Sequence, residues 1–177
     1  METMTNPQRV SPVKNALKWG LITGAALIVL SLIQYATGTM QNKVIQWLSY
    51  VLMAIGIVLA IREHRDKELG GYITYGRAVG AGVLTALFTG VLLTVFTYLF
   101  YGFIAPDAMD ELIRIQEEQL YQNGMSDEQI EGSLKIMTPG FLSLMVLPMI
   151  TFMGLVISLI AAFVLKKDRP AFVDEEE

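Results

Sequence analysis

The chain has 177 residues, of which 53% are hydrophobic and 17% charged, and its formal net charge is −4. Soluble domains usually carry about 25% charged residues, so this composition indicates a membrane protein. The sequence contains no cysteine. Disulfides, thiolate catalysis, Cys-ligated metal and lipidation on cysteine are therefore excluded.

Four segments lack Asp, Glu, Lys, Arg and His, and each is long enough to cross a bilayer: 19–42, 44–61, 78–106 and 136–165. A helix rises about 1.5 Å per residue and the hydrocarbon core is about 30 Å thick, so about 20 apolar residues span it. These runs are uniformly apolar, whereas the strands of a membrane barrel alternate. We predict an all-α polytopic fold with spans of 19–40, 44–62, 78–104 and 140–165. They form one membrane domain, 16–168, between a loose tail, 1–15, and an acidic tail, 169–177.

Small residues four apart mark helix faces that can approach closely, because lipid provides no hydrophobic force between helices. Such faces occur in spans one, three and four, at Gly20 and Gly24; Gly76, Gly80, Gly82, Ala86 and Gly90; and Gly154 and Ser158. They could serve dimerisation, but every multi-span protein needs them for its own bundle. We interpret them as packing faces within one chain, with span three at the centre.

The segment after span two reads Arg62-Glu-His-Arg-Asp-Lys-Glu68 and is followed by two glycines. Opposite charges four apart predict the pairs Arg62 with Asp66 and Glu63 with Lys67 on a helix that ends at a glycine C-cap. His64 and Glu68 could ligate a metal, but two ligands fall short of a site. We interpret them as part of a solvated helix face and predict no metal.

Between spans three and four, residues 106–138 predict an amphipathic helical hairpin outside the membrane. Its first helix begins at Pro106 and ends at Asn123-Gly124. The second, which we expect to run to about Thr138, has the start signature of a capping box and a hydrophobic staple. The capping box consists of Ser126 and Gln129, and the staple of Met125 and Ile130.

The predicted hairpin is acidic, with eight carboxylates against Arg114 and Lys135. We expect Arg114 to pair with Asp110 and Glu118, and the acids of the first turn to complement the helix dipole. An acidic surface of this kind does not support binding to nucleic acid. In span four, Pro148 removes a backbone donor and predicts a kink.

Basic residues are divided unequally between the two sides of the membrane. Ten of the 13 Lys and Arg residues flank the same ends of the spans, and Lys43, Arg114 and Lys135 lie on the opposite side. Because basic residues near span ends stay in the cytoplasm, both termini are expected inside and the hairpin outside. The first apolar run is too long for a secretory signal core and has no clean cleavage motif, so we expect it to be retained.

The four apolar segments contain no Asp, Glu, Lys, Arg or His, although intramembrane catalysis and ion-coupled transport usually need such a residue within the membrane. No nucleophile is visibly paired with a base, and no cofactor motif occurs, so we do not expect an enzyme. One reading is a non-catalytic accessory or assembly subunit whose partners are lipid and a protein bound through the hairpin. The alternative is a small transporter or channel formed by self-association around spans three and four.

Three segments together resemble a family of bacterial inner-membrane proteins known only as a domain of unknown function. They are Lys14-Asn-Ala-Leu-Lys-Trp-Gly20, the loop from Arg62 to Arg77, and Gly124-Met-Ser-Asp-Glu-Gln-Ile130. The resemblance covers residues 10–168, and the loop is its most specific part. It implies a four-span α-helical protein of the bacterial cytoplasmic membrane, and it brings no catalytic or ligand-binding residues.

Overall fold

The computed structural model describes residues 11–168, and in that range the chain is α-helical apart from turns and one isolated bridge. Six helices follow one another: α1 (Val13–Ala36), α2 (Lys43–Glu63), α3 (Tyr75–Leu99), α4 (Pro106–Gln122), α5 (Asp127–Lys135) and α6 (Pro139–Leu165). A π-helical turn extends α2 over His64–Glu68, and another extends α3 over Phe100–Ile104. With these turns included, α1, α2, α3 and α6 are each long and apolar enough to span a membrane. The prediction of four helices with the length and composition to span a membrane is confirmed.

The boundaries of α1 differ most from the prediction. The helix begins at Val13, so residues 13–15 are helical, although the sequence predicted a loose tail there. It ends at Ala36, four residues early, because Gly38 adopts a φ of +64° in the turn that follows. The helix therefore begins within the charged segment that precedes the apolar run, and not at its end. Residues 1–10 and 169–177, to which the remainder of both predicted tails belongs, lie outside the described part of the chain.

Helix α5 is shorter than predicted, since it ends at Lys135. Thr138 instead caps α6, where its side chain accepts a hydrogen bond from the backbone N–H of Phe141 at 3.2 Å. Pro139 occupies the first turn of α6, and a proline disfavours helical backbone geometry in the residue that precedes it. The chain consequently leaves α5 before Thr138.

The core lies between α2, α3 and α6, and α3 also packs on α1, so α3 is the central helix. Alanines supply much of the buried surface of α3 and α6, and Ile73 joins the core from the loop before α3. The buried hydrophobic residues of this core are Met53, Ile57, Ile61, Ile73, Ala78, Ala81, Ala86, Ala161, Ala162 and Leu165. Small side chains let helix backbones approach closely, which is the main source of contact between helices in lipid.

Candidate functional site

The glycines of α1 are covered by side chains of α3. A Cβ atom added at Gly20 would lie 2.6 Å from the Cβ of Phe88, and one added at Gly24 would lie 2.8 Å from Cδ2 of Leu92. Thr89 strengthens this contact, because its hydroxyl donates to the carbonyl oxygen of Gly20 at 3.1 Å. The pair Gly20 and Gly24 therefore packs inside the chain.

The seam between α3 and α6 is equally close. A Cβ at Gly82 would collide with Ser158, and one at Gly154 would collide with Ala86. A Cβ at Gly90 would lie 3.1 Å from Cδ1 of Leu147. Five of the small residues that the sequence singled out thus form one interlocked contact.

Gly76 and Gly80 do not belong to this contact, and the prediction that they pack within the bundle is wrong. Both are exposed, and an added Cβ would meet nothing within 4 Å. The reason is helical phase: Gly80 and Gly82 are two residues apart, which places them about 200° apart around α3. Sequence reasoning also missed Gly56, the single glycine of α2, which lies against Thr23 of α1.

Pro148 lies inside α6, and the helix continues through it from Pro139 to Leu165. The proline is exposed on the outer surface of the bundle rather than at the seam with α3. Its effect on the helix axis remains a prediction.

Helices α4 and α5 are defined by caps at the turn between them. Asn123 is the C-cap of α4, and Gly124 follows with a φ of +76°. Ser126 is the N-cap of α5 and forms a capping box with Gln129, whose Oε1 accepts a hydrogen bond from the backbone N–H of Ser126 at 3.1 Å. Met125 and Ile130 occupy the staple positions, and Ile130 is only 2% exposed.

The start of α4 is attached to the bundle. The hydroxyl of Tyr35, at the end of α1, donates to both carboxylate oxygens of Asp107, at 2.8 and 3.0 Å. The Tyr35 ring also meets the buried ring of Phe100 edge-on at 5.4 Å. Met109 is buried one turn into α4. These contacts hold the first turn of α4 against α1 and the π-helical end of α3.

The acidic groups of α4 and α5 remain at the surface. Seven of the eight carboxylates are on exposed residues and the eighth, Glu117, is half-buried. Arg114 pairs with Glu111 at 2.7 Å, so the predicted pairing with Asp110 and Glu118 is wrong. The guanidinium keeps the pKa of Glu111 below its usual value. Spacings of three and four residues are both possible on a helix, and the sequence did not distinguish them.

A groove of about 600 Å³ lies between α4 and α5. Ile130 and Leu134 give it apolar walls, and Tyr121 adds an aromatic ring. Its charged lining consists of Glu117, Asp127, Glu131 and Lys135. The charge of Asp127 and its hydrogen bond raise the pKa of the Tyr121 phenol. The groove can therefore accommodate an apolar group beside a cation.

The opposite end of the bundle is basic and is organised around Glu63. This carboxylate accepts hydrogen bonds from Lys18 at 2.7 Å, from the indole N–H of Trp19, and from Lys67 at 3.0 Å. The predicted pair of Glu63 and Lys67 is confirmed. The predicted pair of Arg62 and Asp66 is wrong, because Asp66 pairs with its neighbour Arg65 at 2.6 Å.

His64 is 2% exposed, so the prediction that it lies on a solvated face is wrong. It begins the π-helical turn after α2, and its Nδ1 lies 2.5 Å from Oε2 of Glu68. A π-turn places one more residue in each turn, which changes the direction of the side chains after Glu63. Within residues 11–168, no three His, Asp or Glu side chains are grouped as a metal site requires.

Three contacts join separate segments at this end. Asn15 donates to the carbonyl oxygen of Ala60 at 2.7 Å, and Arg65 donates to that of Leu165 at 3.2 Å. Ile73 and Lys167 exchange two backbone hydrogen bonds, at 2.9 and 3.0 Å. Together the three contacts connect α1 to α2, and the end of α6 to the segment between α2 and α3. The sequence gives no local signal for them, because the partners lie 45 or more residues apart.

Comparison with known proteins gives one family. The family model described as "Protein of unknown function (DUF4199)" matches residues 18–167, which is most of the chain. The chain has no significant match among curated proteins or among solved structures.

Proposed function

The chain belongs to the DUF4199 family, and we propose that it is a non-catalytic accessory or assembly subunit of the bacterial cytoplasmic membrane. Both termini are cytoplasmic in this proposal, and α4 and α5 form an amphipathic hairpin outside the membrane. The unequal distribution of basic residues supports this orientation. The hairpin binds a partner protein that presents basic residues.

The observation that carries the proposal is the groove between α4 and α5. Each of the two helices has its own cap at the turn between them. Their carboxylates lie at the surface and the Tyr121 side chain is 52% exposed, so these groups are accessible to a second protein. Aromatic residues are enriched at the centres of protein interfaces, and complementary charge accelerates association. An apolar groove with an acidic lining therefore suits a partner segment that combines Lys or Arg with an apolar side chain.

Photo-crosslinking tests the proposal. We would place p-benzoylphenylalanine at Tyr121 in the groove and, as a matched control, at Phe103, which is also aromatic and exposed. We expect one adduct of defined mass from position 121 and none from position 103.

Charge variants of the full chain show whether the groove is responsible. Asp127→Asn with Glu131→Gln neutralises two groove carboxylates, and Asp110→Asn with Glu118→Gln neutralises two that do not line it. The first pair should abolish the adduct and the second should retain it. An adduct that forms equally from position 103, or that survives the first pair, contradicts the proposal.

The exposed face of Gly76 and Gly80 favours a second candidate, a small transporter or channel formed between copies of the chain. Small residues with open space around them suit close approach of another helix. Any pathway would lie between copies, because Ser158 and Ala86 fill the α3–α6 seam inside one copy. Substrate-dependent flux in vesicles that Gly80→Leu abolishes would support this candidate.

A further inference from the structure

Four cations from two helix ends gather at the basic end of the bundle: Arg62 and Arg65 at the end of α2, and Lys166 and Lys167 after α6. We call this group the α2–α6 corner. Its two halves are joined, because Arg65 donates to the carbonyl oxygen of Leu165 at 3.2 Å. The backbone of Lys167 is held by its two hydrogen bonds with Ile73. The side chain of Arg65 and the backbone of Lys167 thus hold the end of α2 and the segment after α6 together.

The positive charge of the corner is only partly neutralised. Within residues 11–168, Arg62, Lys166 and Lys167 form no salt bridge, whereas Arg65 is paired with Asp66. The charges of Arg62 and Lys167 also act on Asp66, whose two carboxylate oxygens already bond Arg65 at 2.6 and 3.1 Å. In the described part of the chain, one salt bridge therefore neutralises one of the four cations.

Both lysines of the corner lie beside aromatic rings, and Lys166 adjoins an apolar, outward-facing surface of α6. The ammonium of Lys166 lies 6.0 Å from the ring of Phe163, and that of Lys167 lies 5.4 Å from the ring of Tyr72. Phe163 and Val164 are 71% and 74% exposed. In a membrane this surface of α6 contacts acyl chains, so the cations beyond its end lie at the level of the headgroups.

We propose that the α2–α6 corner binds the phosphate of an anionic phospholipid, whose acyl chains lie along the exposed face of α6. Basic pockets between the ends of membrane helices bind such headgroups, and ammonium groups bind phosphate as point charges. Topological retention explains basic residues on this side of the membrane. It does not require that basic residues from two helix ends be brought together by the contacts of Arg65 with Leu165 and of Lys167 with Ile73.

Native mass spectrometry of the purified full chain with added phosphatidylglycerol tests the proposal. Lys166→Gln with Lys167→Gln should weaken binding by roughly thirtyfold, since each basic residue near an anionic surface contributes about a factor of five. The matched control, Lys14→Gln with Arg77→Gln, removes two exposed cations from the same end of the bundle and should bind like the unchanged chain. Lys166→Arg with Lys167→Arg keeps the charge and should also bind.

Two further arms identify the ligand and guard against misfolding. Phosphatidylcholine should not replace phosphatidylglycerol, and inorganic phosphate at millimolar concentration should neither bind in its place nor compete with it. Arg62→Gln supplies an independent loss of binding if the lysine variant does not fold. Equal binding of phosphatidylcholine, full competition by phosphate, or equal losses in the Lys14/Arg77 control would each overturn the proposal.

Discussion

The clearest test of the packing compares the same substitution at two glycines of α3. Gly82→Ala adds a methyl group that would collide with Ser158, with the Ser158 Cβ at 2.8 Å, and that would lie 3.1 Å from Cγ2 of Ile57. Gly80→Ala adds the same group where nothing lies within 4 Å. Both positions lie in α3, so comparison of the two variants cancels the effect of alanine on helix formation.

The expected magnitude follows from the two opposing effects. Alanine favours a helix over glycine by about 1 kcal/mol, and this gain applies to both variants. Overpacking costs about 1–3 kcal/mol and applies to Gly82→Ala alone. The free energy of unfolding should therefore be about 1–3 kcal/mol lower for Gly82→Ala than for Gly80→Ala.

Reversible unfolding of the protein in mixed detergent micelles measures this difference. Ser158→Gly removes the side chain that blocks the methyl group, so it should recover part of the loss in the double variant. If Gly80→Ala destabilises the protein as much as Gly82→Ala, the assignment of the two faces of α3 is refuted.

Three further predictions concern the ends of the bundle. An impermeant thiol reagent added outside the cell should label Gln122→Cys and not Asp168→Cys; labelling of the latter would reverse the orientation. Tyr35→Phe should weaken the attachment of α4 by about 1 kcal/mol through loss of its bonds to Asp107, seen as faster amide hydrogen exchange in α4 and unchanged exchange in α3. The pKa of Glu111 is lowered in the folded state, so its contribution to stability should be present above the ordinary carboxyl pKa and lost as the pH falls through the folded-state pKa. An NMR titration that finds no lowering of the Glu111 pKa contradicts this.

The features that could be predicted from the sequence depend on neighbouring residues. The apolar runs are continuous stretches of one residue class. The caps at Asn123 and Ser126, and the pair of Glu63 and Lys67, involve residues at most four positions apart. Length and capping chemistry act within a segment, so they can be read from it.

The features that were missed depend on which face of a helix meets another helix. Span three carries small residues on two faces, and spacing alone could not show that Gly82 is covered while Gly80 is exposed. His64 stands among charged residues, yet the π-helical turn leaves it buried. The groove was missed because it depends on which side chains of α4 and α5 face one another, and the predicted hairpin did not specify these.

The interlocked seam between α3 and α6 has a consequence for biogenesis. During synthesis α6 emerges after the other three spans, and it supplies Ala161, Ala162 and Leu165 to the core. Until it inserts, the face of α3 at Gly90, which Leu147 and Ile150 of α6 cover, has only lipid or other membrane proteins to contact. A nascent chain that has not yet inserted α6 therefore presents a close-packing surface that a membrane chaperone or protease can recognise, and insertion of α6 removes that surface.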